Sequence, residues 1–463
     1  MGGFGAYVEG QCNAHNSLAA IADYARITYV PPIRHEAKTR VWIATVQSNS
    51  YQVSVHSSCV CNELQSLHNR HLIPRGKDFN IKELRKAIKE FDRLVKIPKL
   101  ESVNYSEIVK SYTGGKRRIY FQALQLLKQG GLRAGDTYVN MFVKPDRYPS
   151  GVIGEKHPRA IQFRSPKFNL AMSIYIKPFE EWFYAIELGY TRTRVVAKGL
   201  SPYDRAELFK QKYTAYENPI YLECDHSKFD SSINVHMLKF SHRCYRKAFG
   251  DKVKFFKAQL HNRGFTKGGI RYEVKGTRMS GDPDTGCGNS LVNLMVLVGV
   301  LRDWGITKYD ILLDGDDSVI VLEKKDESKV NKDSFKYLGL DTKLILKYSK
   351  YQVDFCQCRY MQSPRPNFVR NPVRAISHSS VVLKKYDDLT LLRWQGGVGQ
   401  CELALNEGVP VLSVLGSVLA REDYFLDQDM RVRMGRCRPV RTTITETARI
   451  QFWKCWGIVP DMQ

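Results

Sequence analysis

The residues with the clearest chemical potential lie at 311–322, Ile-Leu-Leu-Asp-Gly-Asp-Asp-Ser-Val-Ile-Val-Leu. Two apolar, β-prone runs flank an acidic turn, and Asp-Gly between such runs predicts a hairpin. Its tip would carry Asp316 and Asp317 side by side. Carboxylates that close repel one another unless a divalent cation lies between them. Taken alone, the stretch fits an ordinary solvated corner better. A partner comes from residues 219–230, where an apolar strand delivers Asp225 at its end and Asp230 follows about one turn later. Three carboxylates on two strand ends, Asp225, Asp316 and Asp317, are the donor set that a two-metal phosphoryl-transfer site requires, because hard divalent ions take oxygen ligands.

Other elements must position these acids. Residues 276–304 run from a Ser280-Gly281 loop into a helix, with Asp282 expected as N-cap and Pro283 as first helical residue. Leu291, Leu294, Met295 and Val298 form its apolar stripe. Asn289 lies near its start, beside Gly288, which permits close approach of another group. Upstream, Lys144 precedes a Pro/Gly loop, and Lys156-His-Pro-Arg159-Ala-Ile-Gln-Phe-Arg164-Ser-Pro-Lys167 follows. These cations fit either a solvated basic strand or a wall that holds phosphates. After the hairpin, a helix end turns into a strand carrying Lys343, with Lys347 just beyond. Residues 80–95 read as a helix capped by Asn80. The run Tyr112-Thr-Gly-Gly-Lys116-Arg117-Arg118 offers glycines beside cations, but no Ser or Thr follows the lysine, so it is not a Walker loop. His56, Cys59, Cys61, His68 and His71 invite comparison with a zinc site. Cys-x-Cys is not a usual zinc spacing, and packing is their expected role.

The 463-residue chain carries a formal net charge of +24 and 43% hydrophobic residues. That composition supports a large core and a polyanionic partner, most simply nucleic acid, with an anionic membrane surface as second choice. Eleven cysteines without a framework spacing favour a reducing compartment. No apolar stretch is expected to reach the ~18–20 residues of a membrane helix, and no signal peptide is expected. From about residue 361 the chain turns helical and basic, with Arg431, Arg433, Arg436, Arg438 and Arg441 close together.

The ordered set of motifs resembles the RNA-directed RNA polymerases of positive-strand RNA viruses, specifically the tombusvirus family and its relatives. The basic stretch 156–167 resembles that family's Lys-x-x-Arg-x-Ile-Gln-x-Arg motif. Asp225-x4-Asp230 resembles the first palm motif, Ser280-Gly-Asp-x-x-Thr285-x-x-Gly-Asn289 the second, and Gly315-Asp316-Asp317 the third. Lys343 falls where the fourth motif's lysine is expected, and Phe355-Cys356-Gln357 resembles the fifth. The departures are modest: Cys224 and His226 flank the first aspartate, and Phe163 stands where proline is frequent. The family's upstream membrane-targeting region is expected to be missing.

The resemblance implies an α+β right-hand polymerase with fingers, palm and thumb, and an antiparallel palm sheet backed by helices. It implies an N-terminal region with fingers at 1–170, palm at 171–242 and 276–360, a fingers insertion at 243–275 and a thumb at 361–463. It implies template-directed RNA synthesis using two Mg2+ or Mn2+ ions held by Asp225, Asp316 and Asp317, with Lys343 assisting catalysis. Lys144, Lys156, Arg159 and Arg164 would line the nucleotide channel, and Asp230, Ser280, Thr285 and Asn289 would read the ribose. Lys116, Arg117, Arg431, Arg433, Arg436 and Arg438 would contact RNA. The implied partners are template and product RNA, ribonucleoside triphosphates, and a membrane-anchored viral replication protein on host membranes in the cytoplasm. A reverse transcriptase and a non-catalytic basic RNA-binding protein are the alternatives. Gly315 before Asp316 and the Asp230–Asn289 pair favour ribonucleotides over the first. Three ordered aspartates disfavour the second.

Overall fold

The computed structural model describes residues 7–33, 35, 39–44 and 52–463. Helices and sheets are mixed along the chain. At its centre, four antiparallel strands run in the order Tyr309–Asp314, Asp317–Glu323, Pro219–His226, Thr342–Lys347. Alternation along each strand divides their side chains between two cores. Ile220, Leu222, Cys224, Ile311, Leu313, Ile320 and Leu322 join the larger one. Helices Ile81–Leu94, Val235–Phe249 and Thr285–Asp303 complete that core. Tyr221, Leu312, Val319 and Val321 face a second core with Phe209, Phe355, Tyr360 and Phe368. A sheet covered on both faces has only its strand ends left for chemistry. The end of Pro219–His226 and the start of Asp317–Glu323 lie at the same edge, because the two strands are antiparallel.

A five-stranded sheet brings together Ala25–Tyr29, Arg271–Lys275, His261–Thr266, Val139–Val143 and Ala160–Phe163, in that order. Its single parallel pair joins His261–Thr266 to Val139–Val143. The hairpin 261–275 thus packs with N-terminal strands, whereas Met237 through Phe256 pack into the large central core. The N-terminal strand Tyr7–Glu9 pairs with Arg40–Ile43, which pairs in turn with Val381–Val382. Beyond residue 361 the chain is mainly helical, including Asp388–Leu405 and Glu446–Trp456.

Two local expectations are corrected. Helix Thr285–Asp303 begins at Thr285, with Asp284 as its cap residue, and not at Pro283. Asp282 is drawn away from capping by the buried guanidinium of Arg164 and the amide of Gln259. The same helix is also long and apolar enough to cross a membrane by length and composition, contrary to the expectation that no stretch qualifies. However, 83% of the relevant window is buried inside the fold. Asn80 caps Ile81–Leu94 as expected, accepting from Lys82 N at 2.9 Å.

Candidate active site

The hairpin forms as its sequence predicts, with Asp314 paired to Asp317 and Gly315-Asp316 as the two-residue turn. Gly315 has φ +66°, the left-handed geometry that a turn of this kind requires at its first central position. On the neighbouring strand, Cys224 faces Ser318, so Asp225 and Asp317 continue that register on the same face of the sheet. Lys343 lies directly opposite Asp225 on the fourth strand, while Lys347 lies opposite Tyr221. Lys343, Asp225, Asp316 and Asp317 are all exposed at the open edge.

One helix holds this edge in place through three polar residues set in an apolar sequence. Ser290 Oγ accepts from Gly315 N at 2.9 Å. Asn293 Nδ2 donates to the carbonyls of Gly315 and Asp316, at 3.1 and 3.2 Å. Asn293 Oδ1 must then accept from His226 Nε2 at 3.1 Å, which leaves His226 Nδ1 to accept from the Thr342 hydroxyl at 2.8 Å. Burial pushes His226 down to about 4, so it stays neutral and keeps this tautomer. Asn289, on the same helix, donates to Asp230 Oδ1 at 2.7 Å and accepts from Arg278 Nε at 3.2 Å. A Cβ at Gly288 would run into the Arg278 guanidinium, which explains the glycine.

The carboxylates are electrostatically unsatisfied. Although its side chain reaches solvent, desolvation by the protein packed around the turn, the charge of Asp316 and the charge of Asp314 push Asp317 up to about 7, against some relief from Cys356. Asp316 is raised by the protein around it and by Asp225, while the Arg159 guanidinium opposes the rise. Asp230 is raised by burial, with Asn289 and Arg159 acting the other way. A convergent set of acids under this strain fits a hard divalent cation, since the cation's charge would relieve the repulsion. Asp225, Asp316 and Asp317 are the residues suited to hold it. Asp314 is less available, because Lys198 at 3.3 Å and Arg205 already neutralise it.

A family model described as viral RNA dependent RNA polymerase matches residues 27–463. The chain belongs to this family. Among its relatives, the RNA-directed RNA polymerase of Groundnut rosette virus (strain MC1) is 30% identical over 383 residues, which cover 77% of this chain and 45% of the relative. Those of Cucumber necrosis virus and Tomato bushy stunt virus (strain Cherry) are each 27% identical over 406 residues, covering 84% of this chain and 49% of the relative. The chain spans about half the length of the curated relatives it matches.

Within this viral polymerase family member, the basic residues fall into distinct settings. Lys144 and Arg159 share Asp146, at 3.2 and 3.3 Å. Arg159 is exposed and acts electrostatically on both Asp230 and Asp316, and Lys156 is exposed beside the same strand. Arg164 corrects the sequence expectation. It is fully buried, paired with Asp282, bonded to Asn262 and donating to Thr137 O at 3.1 Å. Its neighbours in the basic run look alike in sequence, but a guanidinium fully buried and paired inside the core does not reach a nucleotide in the cleft. Ser280 and Thr285 also commit their hydroxyls to the backbone. Ser280 Oγ accepts from Gln162 N at 3.1 Å, and Thr285 Oγ1 donates to Met279 O at 2.7 Å or Asp282 O at 2.9 Å. They shape the loop that leads into the helix carrying Asn289.

Arg433 and Arg436 line a cavity of about 790 Å3 that also touches Arg205, Cys356 and Arg370. Arg433 and Arg370 converge on Glu402, at 3.2 and 3.0 Å. Arg431 and Arg438 are exposed. Lys116 and Arg117 lie elsewhere, on helix Gly114–Gly130, where the Lys116 ammonium sits 4.1 Å above the Tyr112 ring. Cys356 and Gln357 adopt φ +52° and +60° at a hairpin tip, which brings the Cys356 thiol to Asp317. Arg70 was not singled out from the sequence. It interacts with Arg159, Asp146 and Asp230 and so adds a cation beside the acids. Ser290 and Asn293 were also missed, although two further polar residues close to Asn289 in an apolar helix were a readable signal.

Proposed function

We propose that this chain carries out template-directed RNA synthesis from ribonucleoside triphosphates, with the four-stranded sheet as palm. In this reading the five-stranded sheet with its N-terminal neighbours forms the fingers, and residues from about 361 form the thumb. The single observation that carries the proposal is the convergence of Asp225, Asp316 and Asp317 at an open edge of a doubly covered sheet, with Lys343 opposite Asp225. In the reaction, the 3′-hydroxyl of the growing strand gives its proton to water, its oxygen bonds to the α-phosphorus, the bond from the α-phosphorus to the bridging oxygen breaks, and pyrophosphate leaves. Divalent ions, Mg2+ or Mn2+, when held by the three aspartates, supply charge neutralisation for the attacking hydroxyl and the departing pyrophosphate.

The chain's own residues do the rest. Asp230, oriented by Asn289, accepts from the ribose 2′-hydroxyl. Arg159, Lys144, Lys156 and Arg70 hold the triphosphate. Lys343 gives a proton to the pyrophosphate oxygen as it leaves. Arg433, Arg436, Arg431 and Arg438 grip the product backbone, and Lys116 and Arg117 contact RNA farther out. The proposal extends to a membrane-anchored viral replication protein as partner, and to replication complexes on host membranes in the cytoplasm. The test is incorporation of labelled ribonucleotides on a defined RNA template. The expected product has template length, and changing one template base changes the nucleotide inserted there. Product made without template, or synthesis only from deoxynucleotides, refutes it.

A further inference from the structure

Outside the polymerase cleft, the N-terminal segments bring together four soft ligand atoms from three separate stretches of chain. The Sγ atoms of Cys12, Cys59 and Cys61 lie within 4.8 Å of one another. Cys12 Sγ is 3.5 Å from Cys59 Sγ, His35 Nδ1 is 3.1 Å from Cys61 Sγ, and His35 Nδ1 is 3.9 Å from Cys12 Sγ. In a tetrahedral Cys3His zinc centre, bonds of ~2.3 Å to sulfur and ~2.0 Å to nitrogen set edges of ~3.8 Å and ~3.5 Å. The Cys12–Cys59 separation is close to the first edge, and the two separations from His35, to Cys61 and to Cys12, lie on either side of the second. They are far longer than the ~2.05 Å of a disulfide.

We propose that Cys12, His35, Cys59 and Cys61 form a structural zinc site that fastens the N-terminal strands to the helix leading to Arg70. The Cys-x-Cys spacing that argues against zinc in the sequence is completed here by two distant ligands. Two of the histidines that the sequence offered beside it are engaged elsewhere. His56 bonds to Lys156 O at 2.9 Å and His68 to Ala19 O at 2.8 Å.

The scaffold around the four atoms is fixed by its own hydrogen bonds. Gln11 N donates to Val55 O at 2.8 Å, and Ser57 N donates to Gln11 O at 2.9 Å. Asn62 Nδ2 reaches Gln11 O at 2.8 Å. Cys12 is therefore held against Cys59 and Cys61 without the metal, and the Ser57 hydroxyl donates to Cys59 Sγ at 3.5 Å, the kind of outer contact that orients a thiolate ligand. Cys59 and Cys61 are buried, Cys12 is half-buried and His35 is exposed, so the site is closed on the protein side and reachable from one side.

The position gives the metal a purpose. Strand Tyr7–Glu9, just before Cys12, belongs to the three-stranded sheet that reaches Val381–Val382. Helix Val60–Ser66, which carries Cys61, continues through Leu67–His71 and so carries Arg70. Its Glu63 accepts from Thr266 Oγ1 and Gly268 N, on and beside the five-stranded sheet. Zinc would lock the N-terminal strap to this helix and leave the aspartates untouched.

The test is metal analysis of the full chain, expressed in zinc-supplemented medium, kept reduced and desalted. It is independent of RNA synthesis. About one zinc per chain is expected, falling below about a tenth in Cys12→Ser/Cys61→Ser and unchanged in His68→Ala. Wild-type chain exchanged with Co2+ should show thiolate-to-cobalt charge-transfer bands with tetrahedral d–d absorption, a readout that stands even if the double variant fails to fold. Less than about a tenth of an equivalent in reduced wild type after incubation with Zn2+ overturns the proposal. So does zinc that the double variant retains, a Cys12–Cys59 disulfide in the chain as purified, or a cobalt complex without thiolate bands.

Discussion

Asn289→Ala tests how the cleft would tell ribose from deoxyribose. The substitution removes two contacts, the 2.7 Å donation to Asp230 and the 3.2 Å bond accepted from Arg278. Arg278 keeps Asp284 at 2.7 Å, so its charge stays paired and the loss falls on Asp230. A hydrogen bond to a charged group contributes about 1.5–3 kcal/mol, which sets the stability cost. Without Asn289, the carboxylate of Asp230 also moves further up in pKa, because the amide is the largest influence holding it down. It is then both misoriented and more often protonated, and is a poorer acceptor for a 2′-hydroxyl. Losing one such contact costs ~1–3 kcal/mol, so the ribo-to-deoxy preference should fall by about 5- to 150-fold, chiefly through slower ribonucleotide use. The assay is single-nucleotide incorporation of matched ribo- and deoxynucleotides by wild type, Asn289→Ala, Asp230→Ala and the double variant. The two residues act as a unit, so the double variant should lose little more than Asp230→Ala alone. An unchanged preference with a lower overall rate, or fully additive losses, would refute the reasoning.

Arg164→Ala should lower unfolding stability by about 3–5 kcal/mol in denaturant titrations, because it leaves Asp282 buried without its partner; unchanged stability with weakened nucleotide binding would reverse its assignment. Lys343→Leu should slow single-turnover chemistry by about 10²–10⁴-fold with little change in nucleotide affinity. Lys347→Leu should not, since it stands four residues, ~13 Å, along the strand. Asp317 has its folded pKa raised to about 7 from 3.8, so in divalent-free buffer the fold should lose stability as pH rises between those values, because the unfolded chain releases that proton first. Asp317→Asn should therefore raise the melting temperature at pH 8 and leave it unchanged near pH 3, and an equal shift at both pH values would contradict the crowding of charges.

The hairpin and the strand bearing Asp225 were legible because both alternate β-branched and apolar residues with abrupt acidic ends. The two-sided burial of the sheet also follows from those nearly continuous apolar runs. What the sequence could not supply was long-range. Arg159 and Arg164 differ by one strand-length of chain and carry the same charge, yet one faces the acids and the other is paired inside the core. Only the three-dimensional position of Asp282 separates them, and the same contact explains why Asp282 does not cap its helix. The register of Lys343 against Lys347 likewise needed the pairing with Asp225. Cys12 lies 47 residues before Cys59 and meets it only in the folded chain, a pairing that no local pattern encodes.

The central claim is that the charge of the aspartates at the sheet's open edge drives nucleotidyl transfer. The most direct measurement compares wild type and Asp316→Asn in RNA synthesis on a defined template with Mg2+ or Mn2+ and ribonucleotides. Asparagine keeps the shape of the turn, whose backbone is held by Asn293 and Ser290, so folding and RNA binding should be retained. Template-length product from wild type and none from Asp316→Asn is the predicted result. Elongation by Asp316→Asn at the wild-type rate would contradict the account.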